Sequence, residues 1–174
     1  MKTPRDEFQP PAAIPPPRSQ RIYLAGPLFT INERRINRQL AASLQLLLPE
    51  TEFLLPQDFK HDDRYNDARL FGMLFKGCID GIDRSSLVIA WLDGSDADSG
   101  TCFEVGYAYA KGIPVIGVRT DFRLNQERGV NLMLSRGCAA FVYRPSFDED
   151  LEALARDIAR AVRKLNKSVK PARV

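Results

Sequence analysis

Histidine is almost missing from this chain of 174 residues: His61 is the only one. It lies in a polar stretch, His61-Asp62-Asp63-Arg64, that reads as an exposed loop. A Ser/His/Asp nucleophile arrangement is therefore not available. Cysteine is scarce as well, with Cys78, Cys102 and Cys138 an odd number at wide spacing, which predicts no disulfide framework. One histidine and no Cys-x-x-Cys leave too few ligands for a structural zinc site, and no metal or other cofactor is expected. The Gly-x-Gly-x-x-Gly fingerprint and the Walker loop are both absent, which argues against nicotinamide and nucleotide-triphosphate enzymes. No apolar run approaches the roughly 18–20 residues needed to span a bilayer. The first residues lack the apolar core of a secretion signal, so the cytoplasm is the expected location. Charge of one sign is also wanting. The formal net charge is only +3, and no basic stripe is interleaved with aromatics, so neither nucleic acid nor membrane is an expected partner. Arg34-Arg35 and the basic residues Arg163, Lys164, Lys167 and Lys170 read as solvated faces.

What the chain does have is enough apolar material for one full core: 44% hydrophobic against 27% charged residues. Six of the twelve prolines fall within residues 1–20, where missing amide donors and fixed φ angles predict an extended, flexible arm. Residues 21–166 then read as one domain and 167–174 as a basic tail. Strand-like runs alternate with helical patterns. Ile22 to Ala25, Phe53 to Leu55, residues 87–92, residues 113–118 and Ala139 to Tyr143 read as strands. Helices are predicted over Asn32–Leu48, from about Asp67 to Arg84, over 100–111 closed by Gly112, over Asn131–Arg136 and over Phe147–Leu165. Near-continuous apolar strands between helices imply a single three-layer α/β domain. Its five-stranded parallel sheet would be flanked by helices in a flavodoxin-like or Rossmann-like order.

Residues 93–112 carry the most chemistry. Asp93, Asp96 and Asp98 follow the apolar run Leu87 to Leu92, and Glu104 is expected in the first turn of the next helix. This order places carboxylates at the carboxyl end of a sheet, where open α/β proteins bind ligands. Two readings of Glu104 stand side by side. Thr101-x-x-Glu104 has the spacing of a capping box, in which the glutamate only satisfies a helix amide. Alternatively, a helix amino terminus would hold the carboxylate ionised, ready to act as a nucleophile on a glycosidic-type bond. Asp93, Asp96 and Asp98 suit turns equally well. Gly26-Pro27 after the first strand would let a ligand approach the backbone closely.

Four segments together resemble the nucleoside 2-deoxyribosyltransferase family: Tyr23-Leu-Ala-Gly-Pro-Leu-Phe29, Leu55-Pro-Gln57, Asp98-Ser-Gly-Thr-Cys-Phe-Glu-Val-Gly-Tyr-Ala108 and Val130-Asn-Leu-Met133. The resemblance covers residues 21–143. It implies a retaining, covalent transfer of 2-deoxyribose between purine or pyrimidine bases, with nucleosides and free bases as partners. Glu104 would be the nucleophile, Tyr23 would hold it in place, and Asp98 would assist the base. Gly26, Phe29 and Gln57 would line the base pocket, and Gly100 and Met133 fall within the matching substrate-binding segments. Asn131 would reach the sugar 5′-hydroxyl of a neighbouring subunit's substrate, which implies a homo-oligomer with shared active sites. As a plain residue, Asn131 also suits a helix N-cap.

One position departs from the family pattern. An aspartate is usual three residues before the Gly-Ile pair, and Cys78 stands there; Asp80 is two positions on, about 200° around a helix, and so faces elsewhere. A thiol cannot make a carboxylate's paired hydrogen bonds. Two other functions are therefore weighed. One is an N-glycoside hydrolase of nucleosides or nucleoside 5′-monophosphates. The other is a nucleotide-binding protein with reduced catalysis. Apolar Leu28 and Phe29 in the first loop, with only Thr30, Arg34 and Arg35 nearby, favour the transferase over a phosphate-reading hydrolase.

Overall fold

The computed structural model describes residues 20–59, 68–124, 129–145, 147 and 149–168. Residues 1–19, His61, Asp67, Lys170 and the end of the tail, on which several sequence expectations fall, lie outside the described residues. The domain is built from strands β1 (Gln20–Ala25), β2 (Thr51–Leu54), β3 (Leu87–Trp91), β4 (Val115–Arg119) and β5 (Ala140–Tyr143). Between and after them run helices α1 (Ile31–Leu47), α2 (Ala68–Asp83), α3 (Ser99–Ala110), α4 (Leu132–Gly137) and α5 (Leu151–Ser168). All neighbouring strands pair in parallel, in the order β2-β1-β3-β4-β5. That is the flavodoxin-like order, with its switch point between β1 and β3. The expected fold is the one observed.

Period-two alternation along each strand sorts the core into two layers. Ile22, Leu24, Leu87, Ile89, Ile116 and Val118 face one side, where they pack with Leu40 and Leu44 of α1 and Leu154, Ile158 and Val162 of α5. Tyr23, Ala25, Val88, Ala90 and Val115 face the other, with Ile82 of α2, Val105 and Ala108 of α3 and Leu134 of α4. Each fully buried Leu, Ile or Val contributes about 1.5–3 kcal/mol. The parity that makes Ile22 a core residue under α1 and α5 also turns Tyr23 toward α2 and α3. A functional side chain is thus aimed by the same pattern that builds the core.

Element ends differ from the sequence reading by one to four residues, for local reasons. β1 begins at Gln20, whose side-chain amide exchanges hydrogen bonds of 3.0 and 2.9 Å with that of Asn166. α5 begins at Leu151 rather than near Phe147, because Asp150 accepts the Ala153 amide at 2.7 Å. It also runs on to Ser168, so Lys167 lies within the helix. A 3-10 turn over Pro56–Asp58 was not expected. Arg163 is more than a solvated cation, since its guanidinium donates to the Leu47 carbonyl at the end of α1, 2.7 Å away. Gly112 does close α3, at φ 71°. Among the described residues, no helix is long and apolar enough to cross a membrane.

Candidate active site

The helix after β3 starts earlier than its Thr-x-x-Glu spacing suggests. Asp98 is the N-cap of α3: its Oδ2 accepts the Thr101 amide at 2.8 Å and the Thr101 hydroxyl at 3.0 Å. Gly100 suits this cap, since a Cβ there would come within 3.1 Å of the same oxygen. Glu104 therefore lies in the second turn, sixth in the helix rather than in the first turn, and no Thr101–Glu104 capping box forms. With no amide to satisfy, the Glu104 side chain turns to the sheet, and Oε1 accepts the hydroxyl of Tyr23 at 2.6 Å.

Tyr23 is fully buried and cannot yield its place easily. Its ring lies 6.5 Å, centroid to centroid, from that of Phe59. Beneath it is Gly81 of α2, where a Cβ would stand 3.0 Å from the Tyr23 ring and 3.1 Å from Phe59. Cys78, one turn before Gly81 on the same helix face, is partly buried against the core cluster that contains Tyr23. Asp80 points away and pairs with Lys76, as the helical offset required. Asp83 serves elsewhere too: it accepts the Tyr107 hydroxyl at 2.9 and 3.1 Å and pairs with Lys111.

The electrostatics reverse one expectation. A helix amino terminus was to keep Glu104 ionised, yet burial pushes its carboxyl up to about 7. The Tyr23 hydroxyl and Cys78 oppose that rise, and the nearby negative charge of Asp98 adds to it. The dipole effect fades beyond the first turn, and Glu104 is past it. Burial also pushes the Tyr23 hydroxyl far up, with the adjacent Glu104 charge adding to the effect, so Tyr23 remains a donor. Burial likewise raises the Cys78 thiol.

Other expected site residues are placed with mixed outcomes. Gly26 sits where a Cβ would meet Trp91 Cβ at 3.2 Å, so the close approach observed there is to a neighbouring strand. Gln57 has both ends of its amide engaged with α1: Nε2 donates to the Arg34 carbonyl at 2.8 Å, and Oε1 accepts from Asn37 at 3.4 Å. Asn37 also donates to the Pro27 carbonyl at 2.9 Å, and Arg34 donates to the carbonyls of Leu28 and Phe29 at 2.8 Å each. Asn37 and Arg34 thus brace the 26–29 loop, which sequence reading missed. Phe29 is 73% exposed and Met133 74%. Asn131 is the N-cap of α4, accepting the Met133 amide at 2.9 Å, as its residue type allowed.

Asp93 belongs to a structural knot rather than to the crevice. Its carboxylate accepts the amides of Thr120 and Asp121 at 2.6 and 2.9 Å and the Trp91 indole at 2.7 Å. Beside it the buried Arg119 donates to the carbonyls of Leu92, Gly94 and Arg123 at 2.6, 3.2 and 3.1 Å. Hydrogen bonds from Arg123 hold the Asp121 carboxyl well below the usual range. Sequence reading overlooked this knot, although one arginine ending the otherwise apolar strand Val115–Arg119 was a usable signal. It ties the loop after β3 to the loop after β4 and so fixes the base from which Asp98 and α3 project.

Fold and site together define an open α/β protein with a tyrosine-held carboxylate beside its topological switch point. No curated protein sequence matches the chain. The family model for nucleoside 2-deoxyribosyltransferase matches residues 22–133, and the chain belongs to that family. Among solved structures, a conserved protein from Enterococcus faecalis V583 aligns with a TM-score of 0.65 at 27% identity, over 82% of this chain and 99% of that one. A 2-desoxiribosyltransferase from Leishmania mexicana aligns at 0.56 and 25% identity, over 79% and 97%. A 2-deoxyribosyltransferase from Bacillus psychrosaccharolyticus shares the fold, at 0.60 and 21% identity, over 78% and 90%.

Proposed function

We propose that this protein exchanges the base of 2-deoxyribonucleosides through a covalent deoxyribosyl-Glu104 intermediate. The observation that carries the reading is the 2.6 Å hydrogen bond from Tyr23 to Glu104. It occupies one carboxylate oxygen and leaves the other to attack. In the first half-reaction Glu104 bonds to C1′ of the sugar, and the base departs with the electron pair of the N-glycosidic bond. In the second, another base attacks C1′ from the same face and releases the carboxylate, so configuration is retained. Asp98, whose Oδ2 caps α3, offers Oδ1 to the departing base. Only ionised Glu104 can attack. With its carboxyl at about 7, the rate is expected to climb as pH rises through 7 and to level off above it.

A homo-oligomer with shared active sites and a role in nucleoside salvage in the cytoplasm complete the proposal. Exposed Phe71, Phe75, Phe103, Tyr109, Leu132 and Met133 on α2, α3 and α4 support the assembly. Leu132 and Met133 directly follow Asn131, which would meet the 5′-hydroxyl of a neighbour's substrate. A monomer with full activity would refute the sharing.

The deciding experiment incubates the protein with 2-deoxyinosine, with and without adenine. A new deoxynucleoside is expected. Free hypoxanthine alone would assign hydrolysis, and binding without turnover would assign a nucleotide-binding role. A mass spectrum of the protein mixed with deoxynucleoside should show a sugar adduct on Glu104.

A further inference from the structure

Helix α2 carries Gly72, Gly77 and Gly81, and the surroundings of the three differ. Glycine inside a helix is destabilising relative to alanine, so each position invites a reason. At Gly72 nothing lies within 4 Å of the place a Cβ would take. Gly77 and Gly81 are four residues apart and share a face, along which the Phe59 ring lies. A Cβ on Gly77 would stand 3.2 Å from Phe59 Cδ2, and one on Gly81 would stand 3.1 Å from Phe59 Cζ. The Gly81 position is just as close to Tyr23, at 3.0 Å from Cε2 and 3.2 Å from Cδ2. All four distances fall short of ordinary carbon contact, about 3.5–4.0 Å. Neither side has room to yield. Tyr23 and Ile82 are fully buried, and the Ser85 hydroxyl donates to the Gly81 carbonyl at 2.8 Å.

We propose that Gly81 is a positioning residue: with Gly77 it opens a notch in α2 that seats both rings, and the depth of the notch fixes where the Tyr23 hydroxyl meets Glu104. Cε2 of Tyr23 is bonded to the carbon that bears the hydroxyl. A methyl group pressing on that edge therefore displaces the hydroxyl directly, and the hydroxyl stands 2.6 Å from Glu104 Oε1. The titratable groups that bear on Glu104 are Tyr23 from β1, Asp98 from the start of α3 and Cys78 from α2. The Tyr23 hydroxyl favours the ionised carboxylate, and the Asp98 charge opposes it. The consequence for exchange rests on the reading of Glu104 as the nucleophile; the consequence for its ionisation does not.

The test is an NMR titration of the Glu104 side-chain carboxyl carbon, in protein labelled at glutamate and assigned with Glu104→Gln. No substrate is needed. Gly81→Ala is expected to raise the midpoint by about 0.5–1 pH unit, because the bond from Tyr23 is stretched. In a Tyr23→Phe background the same substitution should move it by less than about 0.3 unit. Gly77→Ala, which presses on Phe59 alone, should give a smaller rise, and Gly72→Ala none. An unmoved or lowered midpoint in Gly81→Ala, an equal shift with and without the Tyr23 hydroxyl, or a shift in Gly72→Ala would overturn the proposal. If Gly81→Ala does not fold, Gly77→Ala decides by the same comparison, with and without Tyr23→Phe. In the exchange assay Gly81→Ala should lower kcat and move the acid limb to higher pH. Midpoints that shift in this order while the wild type exchanges no base would retain the role of Gly81 and reject the transfer chemistry.

Discussion

The chain contains two Thr-x-x-Glu sequences near helix starts, and the fold uses them in opposite ways. At α1 the pattern is a complete capping box: Thr30 Oγ1 accepts the Glu33 amide at 3.2 Å, and Glu33 accepts the Thr30 amide at 2.7 Å. At α3 the same spacing, Thr101 to Glu104, makes no box, because Asp98 three residues earlier has already begun the helix. Glu33 satisfies a local donor at the surface. Glu104, one turn further into its helix, has no free amide within reach and meets Tyr23 from a strand 81 residues away in sequence. Spacing alone cannot separate a cap from a reactive carboxylate; what lies one turn earlier can.

Substitutions can break or sharpen this contrast. The largest effect is expected from Glu104→Gln, which should reduce base exchange by at least about 1,000-fold in single-turnover assays. The same variant should show a distinctive stability profile. Burial raises the folded carboxyl from 4.5 to about 7, so its stabilising contribution is complete below pH 4.5 and is lost as pH rises through 7. Wild type should therefore lose on the order of 2–3 kcal/mol over that window in denaturant titrations, and Glu104→Gln should not. A parallel pH profile would show that Glu104 does not titrate as described.

Tyr23→Phe comes next. Losing a hydrogen bond to a charged group is worth about 1.5–3 kcal/mol, which corresponds to about 10–100-fold in rate. The acid limb should also move above pH 7, because the Tyr23 hydroxyl favours the ionised carboxylate. Asp98→Asn separates the cap from the charge. Asparagine caps as well as aspartate, so stability should change by less than about 0.5 kcal/mol. Removing the like charge should shift the acid limb to lower pH. The smallest effect is expected at the other motif. Thr30→Ala should lower stability by about 1 kcal/mol and leave the acid limb where it was. A shift there would mean that the two motifs are not independent.

Much of this architecture was legible in the residues. Apolar runs such as Leu87 to Leu92 and the helical spacing of Leu40 and Leu44 report their own environment, since burial acts on each element through its own periodicity. Tyr23, Asp98, Glu104 and Cys78 were also readable as candidates, and the fold joins Tyr23 to Glu104 and packs Cys78 against the core cluster that contains Tyr23. Other features were not legible because they depend on partners distant in sequence. Asp93 looked like part of an acidic ligand loop until Thr120 and Asp121 supplied its amides. That α1 engages both ends of the Gln57 amide could not be read from its neighbours in sequence either. The ionisation of Glu104 was misjudged because a helix terminus acts within one turn, whereas burial is set by everything packed around the side chain.

The sequence by itself determined the alternation of strands and helices, the parity that turns Tyr23 toward α2 and α3, and the residue types available for chemistry. These follow from periodic burial and from local backbone preferences, which neighbouring residues carry among themselves. Only the tertiary structure decided that Asp98 caps and Glu104 does not, that Asp93 fastens two loops, and that Asp80 and Asp83 of α2 turn to other partners. Those outcomes depend on which groups meet across the sheet, where desolvation and like-charge repulsion act through space and take no account of order along the chain.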